Sequence, residues 1–192
     1  MPFAFRLAAA ADIPALEALI PLSARTLQLG HYSPAQIEAA LGPVFGVDSQ
    51  LIADGTYFVA TDPAAGDRIV GCGGWSRRRS RYGGDAGKAG PDPLRDPAVE
   101  PAMIRAFFVH PDYARRGIGR RLMELSEAGA RAAGFTAIEI VATLPGEPLY
   151  ATFGYAAVER FDVPLPNGLP LPVVRLRKSP IPHNPSPMTH HP

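Results

Sequence analysis

The chain has 192 residues, of which 46% are hydrophobic and 19% are charged, and its formal net charge is +1. This length suits one domain, and this balance of residues supplies enough apolar surface for a folded core. The small net charge excludes a bulk electrostatic attraction to nucleic acid or to an anionic membrane, so any bound anion must be held by locally arranged donors.

The amino-terminal quarter predicts a strand followed by two short helices. Residues 3–7 form a short apolar run with strand character, and Asp12 occupies the position of a helix N-cap. Apolar residues then keep helical spacing as far as Pro21, which is expected to end that helix because proline lacks a backbone donor. A Ser-Pro pair opens a second helix over residues 33–41, and a Gly-Pro pair ends it.

A predicted hairpin and a long loop come next. Residues 56–61 (TYFVAT) and 69–75 (IVGCGGW) are rich in strand-forming residues and are separated by turn-forming residues. Residues 76–101 are rich in Arg, Gly, Asp and Pro, which is too polar for a core segment. They are also too many for a passive connection, so we predict a mobile or functional loop.

Residues 103–109 (MIRAFFV) are the most strand-like segment, and the His-Pro-Asp turn after them ends the strand. A helix with one apolar face then runs from near Gly117 to Gly134. The carboxyl-terminal elements are a strand over 137–142, a short helix over 148–153, and strands over 155–161 and 171–177. We therefore predict one mixed α/β domain over residues 1–178, and a proline-rich, disordered tail over residues 179–192.

The single cysteine, Cys72, excludes an internal disulfide and a multi-thiolate zinc site, and it is typical of a reducing compartment. Its apolar strand context favours a structural role. His110 lies in a turn, where it is expected to organise backbone, and the tail histidines have no fixed geometry for a metal; they are His183, His190 and His191. With no basic-then-apolar leader and no long apolar stretch, we expect a cytoplasmic protein without a membrane span.

A glycine-bearing turn (ARRGIGR) connects a strand directly to a helix amino terminus. The first turn of a helix leaves N–H groups without partners, and Gly117 and Gly119 lack the Cβ atoms that would keep a phosphate away. Nearby cations can add charge-assisted hydrogen bonds; they are Arg115, Arg116 and Arg120. The turn predicts a site for a ligand with several phosphates, although taken alone such a pattern is equally often a solvated turn. It is neither a Walker loop nor a complete dinucleotide fingerprint.

The segment FFVHPDYARRGIG resembles the signature of the GNAT superfamily of acyl-coenzyme A-dependent N-acetyltransferases, a strand ending near Val-x-Pro followed by (Gln/Arg)-x-x-Gly-x-(Gly/Ala). Ala114 departs from this signature, because the family usually has Gln or Arg there. The family also has a tyrosine before a Gly-aromatic pair, and Tyr150 precedes Gly154 and Tyr155. In element order the resemblance extends over residues 3–177.

The resemblance implies a GNAT-type α/β fold with a mostly antiparallel sheet of about six or seven strands, about four flanking helices and a splay between the fourth and fifth strands. Acetyl-CoA would be the co-substrate, without a metal. Its pantetheine would pair with the backbone of Phe107, Phe108 and Val109, and N–H groups near the last two would polarise the thioester carbonyl. Its pyrophosphate would lie on Arg115, Arg116, Gly117, Ile118, Gly119 and Arg120, and Tyr150 would protonate the departing thiolate.

Several roles stay open. The proton of the amine could pass to Glu100, to Glu147 or to a water chain. The arginine run Arg77–Arg81 could bind an acidic substrate or the cofactor 3′-phosphate, or could be a solvated face. Polyamine acetyltransferases of similar sequence usually carry a carboxylate near the position of Arg105, which disfavours a polyamine acceptor.

We expect an N-acetyltransferase in which a small-molecule amine or amino acid attacks acetyl-CoA directly. The alternatives are a catalytically silent acyl-CoA-binding module and a protein N-terminal or lysine acetyltransferase. A nucleic-acid-binding domain would need a continuous basic patch, which the net charge disfavours. The resemblance also suggests a homodimer, although no interface can be identified from the sequence.

Overall fold

The computed structural model describes residues 3–180, so the predicted tail lies outside the described residues from position 181 onward. Over the described residues, seven strands form one sheet in the order β1-β2-β3-β4-β5-β7-β6, with β4 and β5 the parallel pair. The mixed α/β class and the mostly antiparallel sheet are thereby confirmed. The strands are β1 (Ala4–Leu7), β2 (Tyr57–Asp62), β3 (Arg68–Ser76), β4 (Ala102–Val109), β5 (Ile138–Thr143), β6 (Ala156–Pro164) and β7 (Pro170–Lys178).

Five α-helices are found between residues 3 and 180, one more than the resemblance implied. The additional helix begins after Asp48, whose side chain accepts a hydrogen bond from the Gln50 N–H. It is too short to show helical periodicity in the sequence. The helices are α1 (Ile13–Leu27), α2 (Pro34–Ala40), α3 (Ser49–Ala53), α4 (Ile118–Ala132) and α5 (Glu147–Thr152).

The predicted end of α1 is wrong. The helix does not end at Pro21 but continues through it, because side chains buried before and after the proline, such as Leu16 and Ala24, hold both halves against the sheet. Asp12 occupies the N-cap position of α1 as predicted, although its side chain makes no capping hydrogen bond to that helix. Its carboxylate instead accepts the Ala9 N–H at 2.8 Å and pairs with both terminal nitrogens of Arg6 at 2.7 and 2.8 Å.

Helices cover both faces of the sheet. Helices α1 and α2 pack on one face with buried strand residues such as Val59 and Cys72. Helix α4 packs on the other face, where it approaches β3 closely: a Cβ on Gly71 would lie 2.6 Å from the Ile118 Cγ2. Glycine at that position therefore lets the amino terminus of α4 pack directly against β3, the strand next to β4.

The strands β4 and β5 separate after a short parallel contact. They pair only at Ala102 with Ile138 and at Met103 with Glu139. Beyond that point each strand keeps its outer neighbour, since β4 pairs with β3 as far as Val109 and β5 pairs with β7 as far as Thr143. The predicted splay between the fourth and fifth strands is thereby confirmed.

Candidate active site

A bulge in β4 lies at the point where the splay opens. The register of β3 and β4 places Ala106 and Phe107 opposite a single residue, Gly73. Ala106 has a φ of 56°, which is uncommon for alanine, and the Tyr57 hydroxyl holds the bulge by donating to the Ala106 carbonyl at 2.7 Å. A Cβ on Gly73 would lie 2.7 Å from the Phe107 ring, so this glycine makes room for that side chain.

The bulge determines which backbone N–H groups face the splay. The His110 N–H donates to the Val70 carbonyl of β3 at 2.8 Å. Because N–H directions alternate along an antiparallel strand, Phe108 also faces β3, whereas Phe107 and Val109 face away from it. The Val109 N–H donates to the Ser23 Oγ at 3.2 Å. Of the three predicted backbone contacts, the Phe107 N–H is therefore the one at the open edge.

The splay between β4 and β5 forms a cleft. Its walls are residues 104–108 of β4 and 140–143 of β5, and Tyr150 of α5 also lines it. Gln28, at the end of α1, and residues 81–83 of the long loop also line the cleft. The cleft thus runs from the divergent strands to two segments that belong to no recognised motif.

Tyr150 is buried beside the bulge. Its ring makes an edge-on contact with Phe107, with centroids 6.3 Å apart, and another with Tyr155 at 6.4 Å. A Cβ on Gly146 would lie 3.1 Å from the Tyr150 ring, so the glycine allows the ring its position. Burial raises the pKa of Tyr150 above the ordinary tyrosine value, so the hydroxyl stays protonated at neutral and mildly alkaline pH.

The predicted phosphate cradle is an open turn between β4 and α4. Gly117, the residue before α4, has a φ of 87°, and Arg115 has a φ of 63°. No side chain caps the helix, and a Cβ on Gly117 would meet no atom within 4 Å. The N–H groups of the first helical turn, including those of Ile118 and Gly119, are therefore left for an anion.

Two of the three cradle arginines are stacked on aromatic rings. The Arg116 guanidinium lies 5.2 Å from the ring centroid of Phe3 and 5.1 Å from that of Tyr113. The Arg120 guanidinium lies 5.7 Å from the Phe153 ring. These contacts hold the cations beside the turn and still leave their N–H edges able to bind a phosphate.

Part of the arginine run in the long loop is held by contacts within the fold. Arg78 forms two hydrogen bonds of 2.7 Å with the Asp54 carboxylate, and Arg77 donates to the Asp54 carbonyl at 3.1 Å. Arg81 is the member of the run that lines the cleft. Arg77 and Arg78 are thus held by contacts within the fold, whereas Arg81 lies where it can reach a ligand in the cleft.

The two carboxylates considered as proton acceptors lie outside the cleft lining. Glu147 pairs with Arg160 at 2.6 and 3.1 Å, and Glu100 lies 3.5 Å from Arg79. Neither belongs to the residues that line the cleft between β4 and β5.

The remaining predicted residues have structural surroundings. Cys72 is fully buried in β3, and burial raises the pKa of its thiol to about 12, which makes it a poor nucleophile. The buried His110 accepts the Asp112 N–H at its Nδ1 (3.2 Å), and the Arg68 Nη2 lies 2.8 Å from its Nε2, so it organises backbone as expected. His183, His190 and His191 lie outside the described residues.

Between residues 3 and 180 no group of three or more His, Cys, Asp or Glu side chains is placed to hold a metal ion. No helix in that same span is both long and apolar enough to cross a membrane.

Sequence reasoning missed Gln28, Tyr82 and the positive φ of Ala106, because none of them belongs to a motif. The Gly-Gly pair of β3 was a signal of close backbone contact, but it did not identify the bulge.

A family model described as an acetyltransferase (GNAT) domain matches residues 53–157, which include β4, the cradle and Tyr150. A comparison with curated proteins finds no match.

Several solved structures share the fold. A GCN5-related N-acetyltransferase from Rhodopseudomonas palustris is 24% identical, with a TM-score of 0.69 over 93% of this chain and 96% of that one. The PaiA N-acetyltransferase of Thermoplasma acidophilum, solved with coenzyme A, is 13% identical, with a TM-score of 0.63 over 93% and 99%. YncA of Salmonella typhimurium, solved with acetyl-CoA, is 16% identical, with a TM-score of 0.60 over 95% and 96%. At these identities the likeness concerns the fold alone.

Proposed function

The chain belongs to the GNAT acetyltransferase family, and we propose that it transfers the acetyl group of acetyl-CoA to the primary amine of a small molecule or amino acid by direct attack. The observation that carries this proposal is the cleft between β4 and β5, with the Phe107 N–H at one edge and the Tyr150 ring against it. The uncapped amino terminus of α4 follows directly from β4, so both binding features belong to one continuous segment.

The residues of this segment suit acetyl-CoA. The N–H groups around Gly117 and Gly119 would bind the pyrophosphate, because a helix amino terminus without a cap is an anion site. The free edge of β4 would pair with the amide groups of the pantetheine, as an added strand does. Acetyl-CoA supplies an activated acyl group, and the Phe107 N–H would bind the carbonyl oxygen on which negative charge develops.

The proposed reaction needs no covalent enzyme intermediate. The amine nitrogen forms a bond to the acetyl carbon while the carbon–sulfur bond breaks. Tyr150 then gives its hydroxyl proton to the departing sulfur, and the resulting tyrosinate, which its raised pKa makes strongly basic, regains a proton from water. The proton lost by the amine passes to water, because Glu100 and Glu147 are paired with arginines away from the cleft.

Calorimetric titration with acetyl-CoA tests the binding step, using two matched glycine variants. Gly117 and Gly168 have φ values of 87° and 82°, and a Cβ at either position would meet no atom within 4 Å. Gly117→Val and Gly168→Val therefore impose similar backbone strain. We expect wild type and Gly168→Val to bind acetyl-CoA, and Gly117→Val to lose binding.

Release of free thiol in the presence of amines then tests catalysis. Wild-type protein that does not bind acetyl-CoA would overturn the proposal. Binding without thiol release for any amine would identify a silent acyl-CoA-binding protein instead. Thiol release that is lost in Tyr150→Phe while acetyl-CoA affinity is retained would support the assigned role of Tyr150.

A further inference from the structure

The long loop presents a two-residue tip to the cleft. The buried Arg105 side chain donates to the carbonyl of Ser80 at 2.9 Å and to that of Gly83 at 2.6 Å. Arg105 itself is 2% exposed and lies 2.9 Å from the Asp48 carboxylate. The two residues between these anchored carbonyls, Arg81 and Tyr82, are thereby positioned at the cleft.

The cleft carries one positive charge that the fold does not neutralise. Among the described residues, Arg81 forms neither an ion pair nor a hydrogen bond, whereas the charge of Arg105 is compensated by Asp48. The described residues that line the cleft include no Asp or Glu. An anionic group on the acceptor would therefore be attracted by Arg81, and a polycation would be repelled.

Gln28, which also lines the cleft, has an unpaired polar group. The residue is 8% exposed, and its Oε1 is buried without a hydrogen-bond partner within residues 3–180. A buried acceptor without a donor is costly, so a ligand N–H that reaches it would recover that cost. The neighbouring wall is apolar and consists of Val44, Phe45, Val163 and Val173.

From these three observations we propose that the acceptor is a carboxylate-bearing amine with an apolar body, of which an apolar amino acid is the simplest form. Arg81 binds the carboxylate, Gln28 accepts an N–H of the amine, and the apolar wall contacts the side chain. This inference rests on the proposed acetyl transfer and narrows its substrate class. Arg81 and Gln28 determine specificity, whereas Arg105 positions the loop tip that carries Arg81.

Matched substrate pairs test the role of the carboxylate. L-leucine is compared with isoamylamine, and L-phenylalanine with 2-phenylethylamine, since each pair differs by the carboxylate alone. Wild-type enzyme should favour the amino acid in kcat/KM. Arg81→Gln should lower the ratio of kcat/KM for the amino acid over its amine by about 10- to 100-fold, mainly through KM, and Arg81→Lys should restore part of it.

Arg79→Gln is the matched control, because Arg79 belongs to the same arginine run but is 60% exposed and does not line the cleft. It should leave the ratio unchanged. A second variant, Gln28→Leu, should lower kcat/KM for both members of each pair, with thermal unfolding used to check that the variant is folded.

The outcomes separate the two proposals. Thiol release from the amines at rates equal to or above those of the amino acids would overturn the carboxylate assignment and leave acetyl transfer standing. An unchanged ratio in Arg81→Gln would overturn the role of Arg81. Failure of the wild-type protein to bind acetyl-CoA in the calorimeter would overturn both proposals.

Discussion

Asp48→Asn tests the ion pair that lies beneath the long loop. The Arg105 and Asp48 side chains are 2% and 1% exposed, and their charged atoms lie 2.9 Å apart. Asparagine would leave the Arg105 guanidinium buried without a counter-charge. Removing one partner of such a pair costs about 3–5 kcal/mol of the free energy of unfolding, because the remaining charge cannot be hydrated. Lys88 also contacts Asp48, but at 17% exposure it retains access to water.

Urea unfolding measures this cost. For an m value of about 2 kcal/mol per M, the expected loss lowers the unfolding midpoint by about 1.5–2.5 M. Glu38→Gln is the control, because the Arg25–Glu38 pair is 54% and 55% exposed and its loss should leave the midpoint nearly unchanged. A midpoint shift in Asp48→Asn no larger than that of the control would refute the reasoning.

Three further predictions concern the site and its supports. Tyr150→Phe should keep its acetyl-CoA affinity and lower kcat by about 10²- to 10⁴-fold in steady-state assays. Because burial raises the pKa of Tyr150, the kcat of the wild-type enzyme should not decline between about pH 8 and pH 10. A decline in that range would count against Tyr150 as the proton donor. Gly71→Ala places a methyl group 2.6 Å from the Ile118 Cγ2 and should lower the free energy of unfolding by about 1–3 kcal/mol; an unchanged urea midpoint would contradict the close contact of α4 with β3. Cys72, with a thiol pKa of about 12, should react with Ellman's reagent only after denaturation, and labelling of the native protein would contradict its burial.

The elements whose formation depends on residues close together in the sequence could be predicted from the sequence. The strand MIRAFFV, the glycine turn and the following helix lie where the sequence pattern placed them, since strand propensity, a proline stop and a glycine N-cap act within a few residues. The prediction for Pro21 was wrong for the complementary reason. Proline lowers helix stability locally, but burial of α1 against the sheet outweighs that cost.

The residues of the candidate site also fall into those that the sequence predicted and those that only the tertiary structure brought together. Sequence by itself determined the family, the cradle around Gly117 and the candidate Tyr150, because each belongs to a short motif whose spacing carries the chemistry. The tertiary structure alone decided that Tyr57 holds the β4 bulge at Ala106. It also brought Gln28 and Arg81 into the lining of one cleft, from segments far apart in the chain and outside any motif. Their placement depends on long-range packing and on buried polar contacts such as Arg105 with Asp48, which no local pattern of residues encodes.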